Sequence, residues 1–284
     1  MRLIKFSDID IEPLAIYSKL TEAQLRRAGG GEGYFIAESL NVIAAALESG
    51  YEPVSMLTEE RHIDRISSFF NGSDLDIPVY TSDPAVLEGL TGYRMHRGIL
   101  AAFSRKPLPC IEEVLVNASR IAVLEGLNDP TNVGSIFRSA AALGMDAVLV
   151  SSSTCDPLHR RSVRVSMGSV FRIPWTVLPC LASNKRSADI GILHSYEFKT
   201  CALALNDNSI TIDDEKLLEC DKLALLIGSE GDGLSAETIS ASDFSAKIPM
   251  YHGVDSLNAA AASAVAFWVL SRGRDNIIQF SVCS

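Results

Sequence analysis

The sequence predicts an α/β protein of two units, the second built on a largely parallel sheet. Three observations predict it. Short apolar runs alternate with amphipathic stretches along almost the whole chain, the pattern of strands separated by helices. A polar segment with two prolines, Ser104–Pro109 (SRKPLP), interrupts that alternation and reads as a linker. The length of 284 residues suits about two domains. The expected units are 1–106, a smaller α/β unit, and 107–284.

In the first unit, residues 8–28 read as a polar helix that stops at Gly29-Gly30-Gly31. Apolar runs then mark strands at Tyr34–Ala37, Val54–Leu57, Ile77–Tyr80 and Gly98–Phe103. Between them lie helices at Glu38–Glu48, with Leu40, Ile43, Ala44 and Leu47 on one face, at Glu59–Phe70 and at Pro84–Leu90. In the second unit, strands are expected at Ile121–Leu124, Ala147–Val150, Thr176–Leu178, Thr200–Leu205, Leu223–Ile227 and Ser245–Ile248. Helices are expected at Pro130–Leu143, near 183–194, near Ala236 and from Ser256 to about Arg272. Pro157–Met167 is basic and either helical or irregular. Strands alternating with helices imply a sheet covered on both faces.

Composition narrows the function classes. With 47% hydrophobic and 21% charged residues the chain can bury a sizeable core, which excludes a wholly disordered or collagen-like protein. No apolar run is long enough to span a bilayer; Ala259–Leu270 is Ala-rich and reads as a buried helix, one that could serve a subunit interface. The opening MRLIKFSDIDIE lacks the apolar core of a signal peptide. Six cysteines without a CxxC pair read as free thiols of a reducing cytoplasm. His62, His96, His159, His194 and His252 have no ligand spacing, so no metal is expected. A net charge of -10 argues against bulk-charge coating of nucleic acid. Yet residues 157–188 hold six basic residues (Arg160, Arg161, Arg164, Arg172, Lys185 and Arg186) and no acid.

Four segments could carry chemistry. In LEGLNDPTNVGSIFRSAAALG (124–144), Asp129 caps a helix opened by Pro130, and Gly134 and Arg138 share a face. A ligand could approach at Gly134 beside the guanidinium; on helix pattern alone Arg138 solvates the outer face and Asn132 is a capping residue. LIGSEGDGL (226–234) follows an apolar strand, where α/β sheets bind ligands. Its glycine order differs from the dinucleotide fingerprint, and Glu230 would repel phosphate, so it suits a neutral or cationic ligand or is a plain turn. In KIPMYHGVDSLNAAA (247–261), Ser256 and Asn258 sit at a helix start, suited to an oxyanion or to simple capping. Arg160, Arg161, Arg164 and Arg172 suit nucleic-acid phosphates or a solvated face.

The order of these segments carries more than any one alone. DPTNVGSIFR, IGSEGDGL and IPMYHGVDSLN resemble the three signature motifs of the SpoU/TrmH-type 2′-O-ribose RNA methyltransferases, over residues 120–270. VSMGSVFRIP resembles that family's pattern after its third strand, and residues 34–103 resemble the substrate-binding domain of rRNA-directed members. The resemblance implies a trefoil-knotted catalytic domain at 107–284, an RNA-binding domain at 1–106, a homodimer and S-adenosylmethionine as methyl donor. It implies catalytic roles for Asn132, Arg138, Glu230, Ser256 and Asn258. Cofactor contacts are implied at the backbone of Gly228, Ile248 and Leu257. The arginine run itself leads to the expectation that RNA lies along Arg160, Arg161, Arg164 and Arg172. Many members read SLNVS where this chain reads SLNAA, so Ala260 replaces a serine. Ribosomal RNA is the expected substrate, with tRNA the alternative. A catalytically silent RNA-binding or assembly factor and a nucleotide-dependent oxidoreductase are the rival classes.

Overall fold

The computed structural model describes residues 2–18, 20–28, 31–70, 76–95 and 97–272. His96, Cys283 and the expected turn at Gly29-Gly30 lie outside the described residues. Two compact units are present: 1–107 with 158–172, and 108–157 with 173–284. The segment 158–172 therefore belongs with the N-terminal unit, whereas the sequence assigned it to the second.

The first unit contains β1 (Arg2–Lys5), α1 (Ala15–Ser18), α2 (Glu22–Leu25), β2 (Tyr34–Glu38), α3 (Leu40–Glu48), β3 (Pro53–Glu59), α4 (Ile63–Phe69), β4 (Pro78–Ser82), α5 (Pro84–Thr91) and β5 (Ile99–Ser104). Its five-stranded sheet runs β1-β4-β3-β5-β2, with β5 antiparallel to both of its neighbours. The helix expected over 8–28 is broken. Pro13 sits in a single 3-10 turn, and Thr21 starts a new helix through a capping box with Gln24. Strand β1 was not expected: it is a four-residue edge strand paired only with β4.

The second unit begins with α6 (Ile111–Leu115), β6 (Arg120–Leu124), α7 (Pro130–Ala142) and β7 (Ala147–Ser151). After α8 (Arg160–Val165), which belongs to the first unit, come β8 (Trp175–Leu178), α9 (Gly191–Ser195), β9 (Lys199–Leu203), β10 (Ile210–Thr211) and α10 (Glu215–Leu218). The chain continues with β11 (Leu223–Ile227), α11 (Ala236–Ala241), β12 (Phe244–Lys247) and α12 (Ala259–Leu270). Seven strands form one sheet in the order β10-β12-β9-β11-β6-β7-β8, and every neighbouring pair is parallel. Strands β6, β7 and β11 are buried at every position, which explains the apolar runs Ile121–Leu124, Ala147–Val150 and Leu223–Ile227. The chain steps outward from β6 through β7 to β8, then returns to the other side of β6 at β9, and β11 fills the gap. Such a reversal of strand order opens a ligand crevice at the strand C-termini.

Three expectations change. The helix near 183–194 shrinks to α9, because the preceding residues turn back and bridge Cys180 to Ala188. Strand β10 and helix α10 were not expected. Helix α12 starts at Ala259 and is not buried all round: Val265 and Trp268 are 39% and 58% exposed.

At the opposite end of the sheet, Asp243 accepts hydrogen bonds from the Thr200 N–H at 2.9 Å, the Thr200 hydroxyl at 3.0 Å and Lys199 Nζ at 2.8 Å. Burial pushes its pKa up, but the hydrogen bonds from Lys199 and Thr200 outweigh this and hold it at about 2. The folded value lies below the ordinary 3.8, so the stabilisation is present above that value and lost as pH falls towards 2. Solvent screening leaves it worth about 1 kcal/mol. Asp243→Asn should flatten stability against pH between pH 4 and 2, read by denaturant melts; an unchanged acid limb would refute the assignment.

Candidate methyl-transfer site

A cavity of about 380 Å³ opens where the C-terminal ends of β9, β11 and β12 meet. Its walls are residues 203–205, 227–234, 246–248 and 255–257, with Met250 and the first turns of α12. The walls are the C-terminal ends of these strands and the segments that follow them, with Ile239 of α11, so the sheet brings most of them together.

The loop after β11 is folded tightly on itself. The Gly233 N–H donates to the Ser229 carbonyl at 3.0 Å, and the Asp232 N–H to Ser229 Oγ at 3.3 Å. A Cβ on Gly228 would lie 2.2 Å from the Gly233 carbonyl carbon, so only glycine fits there. The loop presents Glu230 to two asparagines. Asn132 Nδ2 donates to Glu230 Oε1 at 2.7 Å, and Asn258 Nδ2 donates to Asn132 Oδ1 at 3.0 Å. Asn258 Nδ2 also donates to Glu230 Oε1. The Oδ1 of Asn258 caps α12, accepting from the Ala260 N–H at 3.0 Å and the Ala261 N–H at 3.4 Å. Asn132 sits in the first turn of α7, placed there by the Asp129 cap and Pro130, and is 7% exposed. Glu230 therefore meets an N-terminal helix end, where a negative charge is stabilised.

The motifs thus converge in space. Asn132, Glu230 and Asn258 form one hydrogen-bonded set, and Gly228, Glu230, Ile248, Ser256 and Leu257 line the cavity. Arg138 does not join them. It is exposed on α7, makes no ion pair among the described residues and does not line the cavity; Gly134, expected beside it, is buried.

The model of the SpoU rRNA methylase family matches residues 119–268, more than half of the chain. A Mycobacterium tuberculosis protein named an uncharacterized tRNA/rRNA methyltransferase is 35% identical over 252 residues, covering 87% of this chain and 84% of its own. The chain belongs to the SpoU rRNA methylase family. A second relative, a Bacillus subtilis 23S rRNA (guanosine(2553)-2′-O)-methyltransferase, is 28% identical over 56% of this chain and 60% of its own. The crystal structure of an AdoMet-bound rRNA methyltransferase from Sinorhizobium meliloti shares the fold, with a TM-score of 0.77 at 20% identity over 95% of this chain and 98% of that one.

In this SpoU-family chain the arginine run is less free than its sequence suggested. Arg164 lies 3.7 Å from Glu38, and Arg172 lies 3.5 Å from Glu48. The Arg160 guanidinium lies over the Tyr93 ring, 4.9 Å from its centroid. Burial lowers the Arg160 pKa against the pull of Glu38 and Glu22. The acids missing from the local sequence arrive from β2, α2 and α3. Arg161 stays exposed, and Arg164 and Arg172 keep 46% and 64% of their side-chain surface in solvent. Sequence reasoning missed Lys247, Asp255 and residues 203–205 as cavity walls. Lys247 and Asp255 stood inside a quoted motif but matched no signature position, and 203–205 carry no motif at all.

Proposed function

We propose that this RNA methyltransferase uses S-adenosylmethionine to methylate a ribose 2′-hydroxyl of ribosomal RNA, in the cytoplasm. The observation that carries the reading is the Asn132–Glu230–Asn258 network, whose Glu230 lines the cavity. The cavity fits the cofactor. Glu230 and Asp255 suit a cationic ligand and stand against one lining cation, Lys247, while Asp232 is paired with Arg186; Leu203, Ile227, Ile248 and Leu257 offer apolar walls. When bound, S-adenosylmethionine supplies a methyl group activated by its sulfonium.

The chain's own residues do the rest. Gly228, Ile248 and Leu257 hold the cofactor, largely by backbone. Glu230 fixes the two asparagine amides, so the α7 and α12 starts face the cavity in one orientation. Ser256, two residues before the α12 cap, holds the RNA phosphate next to the target ribose. Arg138 stabilises the alkoxide that develops as the hydroxyl proton leaves to that phosphate or to water; arginine itself stays protonated. The rRNA preference rests on the name of the matched family and on the separate N-terminal unit, which binds RNA in this reading. The knotted chain path of the family is part of the same proposal. So is a homodimer, supported by the exposed Val265 and Trp268 on the otherwise apolar α12. Trp268→Asp should shift sedimentation from a dimer to a monomer; a wild-type monomer at micromolar concentration would refute the dimer.

The deciding experiment is methyl transfer from labelled S-adenosylmethionine to separate rRNA and tRNA pools, followed by nucleoside analysis. Label in a 2′-O-methylnucleoside of rRNA supports the proposal. Label only in tRNA, or only in a base, overturns it. RNA binding along Arg161, Arg164 and Arg172 makes a further prediction. Replacing all three by alanine should reduce the slope of log affinity against log salt by about 2, at ~0.7 for each phosphate no longer neutralised. An unchanged slope places the RNA elsewhere.

A further inference from the structure

We propose that Glu125 is a positioning residue that clasps both ends of the cofactor loop. It follows β6 directly and is 3% exposed. Its backbone N–H donates to the Ile227 carbonyl at 2.9 Å, the last residue before the loop. Its side chain reaches the other end: Oε1 accepts from the Ser235 N–H at 2.7 Å, the first residue after Leu234. Oε2 accepts from the Thr238 hydroxyl at 2.5 Å and from the Ala188 N–H at 2.7 Å. Among the described residues no cation pairs with this buried carboxylate. This buried side chain is held by hydrogen bonds alone, so losing any donor leaves a buried polar oxygen unsatisfied.

The clasp has a geometric consequence. Ile227 and Ser235 bracket the segment 228–234, which carries Glu230 and walls the cavity. Holding both bracketing residues on one group sets the gap the loop must close, and so the close Gly228–Gly233 approach. The carboxylate also anchors Ala188, so the segment before α9 is fixed to the same point. The core strands β6, β7 and β11 have complete ladders without it. The role therefore lies in the loop, and it acts on cofactor affinity through that loop. This step rests on the reading of the cavity as the S-adenosylmethionine site.

The test is Glu125→Gln, nearly isosteric but with an NH₂ that must face one of three donors. Calorimetry with S-adenosylhomocysteine should show at least tenfold weaker binding, while kcat at saturating cofactor stays within threefold. Amide exchange should quicken at Ser235 and Ala188 and remain slow at Val148 in β7. Thr238→Val, which removes the hydroxyl that donates to Glu125 and accepts from Ser235 Oγ, should weaken binding two- to threefold and provides the readout should Glu125→Gln not fold. Unchanged affinity in either folded variant overturns the proposal, as does equal loss of protection at Val148. Absence of S-adenosylhomocysteine binding by the wild-type protein overturns the cofactor reading instead, and quickened exchange confined to Ser235 and Ala188 would still identify the clasp.

Discussion

Gly228→Ala should abolish cofactor binding and lower the melting temperature. The added Cβ would stand 2.2 Å from the Gly233 carbonyl carbon, 2.3 Å from the Leu234 nitrogen and 2.6 Å from the Gly233 oxygen. All three are backbone atoms, so no side-chain end can swing away. The loop must open, which breaks the Gly233 to Ser229 hydrogen bond and lifts Leu234 out of the core. Overpacking of this kind costs about 3 kcal/mol. An opened loop also withdraws Glu230 from Asn132 and Asn258, so the cavity loses a wall and its network together. Gly231→Ala is the matched control, since nothing lies within 4 Å of its Cβ. Calorimetry with S-adenosylhomocysteine and thermal melts of both variants measure the effect. Binding by Gly228→Ala within threefold of wild type would show that the loop is not the cofactor's wall.

Arg138→Ala should lower kcat by about 10² to 10³ and leave cofactor affinity unchanged. The two halves of this expectation come from different observations. Arg138 lies outside the cavity walls, so its removal takes nothing from the cofactor's surroundings. It is exposed and unpaired among the described residues, so its charge is available to an incoming RNA. Along α7 it stands about 9 Å of axial rise beyond Asn132. Arg138→Lys keeps the charge but loses the planar fork and should recover only part of the rate. Single-turnover methylation with saturating RNA and cofactor separates the chemical step from binding. Equal turnover in Arg138→Ala would remove this residue from the mechanism.

Much of the scaffold was legible because its central strands are buried on both faces. Leu223–Ile227 is an unbroken apolar run between a lysine and a glycine, and it is strand β11 to the residue. What escaped depends on partners remote in sequence. Strands β1 and β10 are short edge strands whose identity comes from the neighbour they pair with. The arginines at 160, 164 and 172 looked uncompensated because Glu22, Glu38 and Glu48 lie more than one hundred residues away. In the site, the order of three motifs named Asn132, Glu230 and Asn258, but no pattern foretold that one carboxylate oxygen would hold both amides. Glu125 gave still less signal, since an acid after a strand is ordinarily a solvated end.

The return of 158–172 to the first unit bears on how the chain is made. The five-stranded sheet is complete in sequence at Ser104, yet the Phe171 ring packs 5.3 Å from that of Phe35 and 5.2 Å from that of Tyr51. Ser49 Oγ bonds the Phe171 carbonyl at 2.9 Å, and the Gly168 backbone lies close against Ala45. During synthesis that apolar face waits while α6, β6, α7 and β7 emerge, a delay of several seconds at ribosomal speed. Strand β6 waits in turn for β11, its register partners being about one hundred residues apart. Neither unit can finish before the other has begun, so the nascent chain matures as an interleaved whole. A break after residue 107 would leave Phe35 and Tyr51 without Phe171 against them.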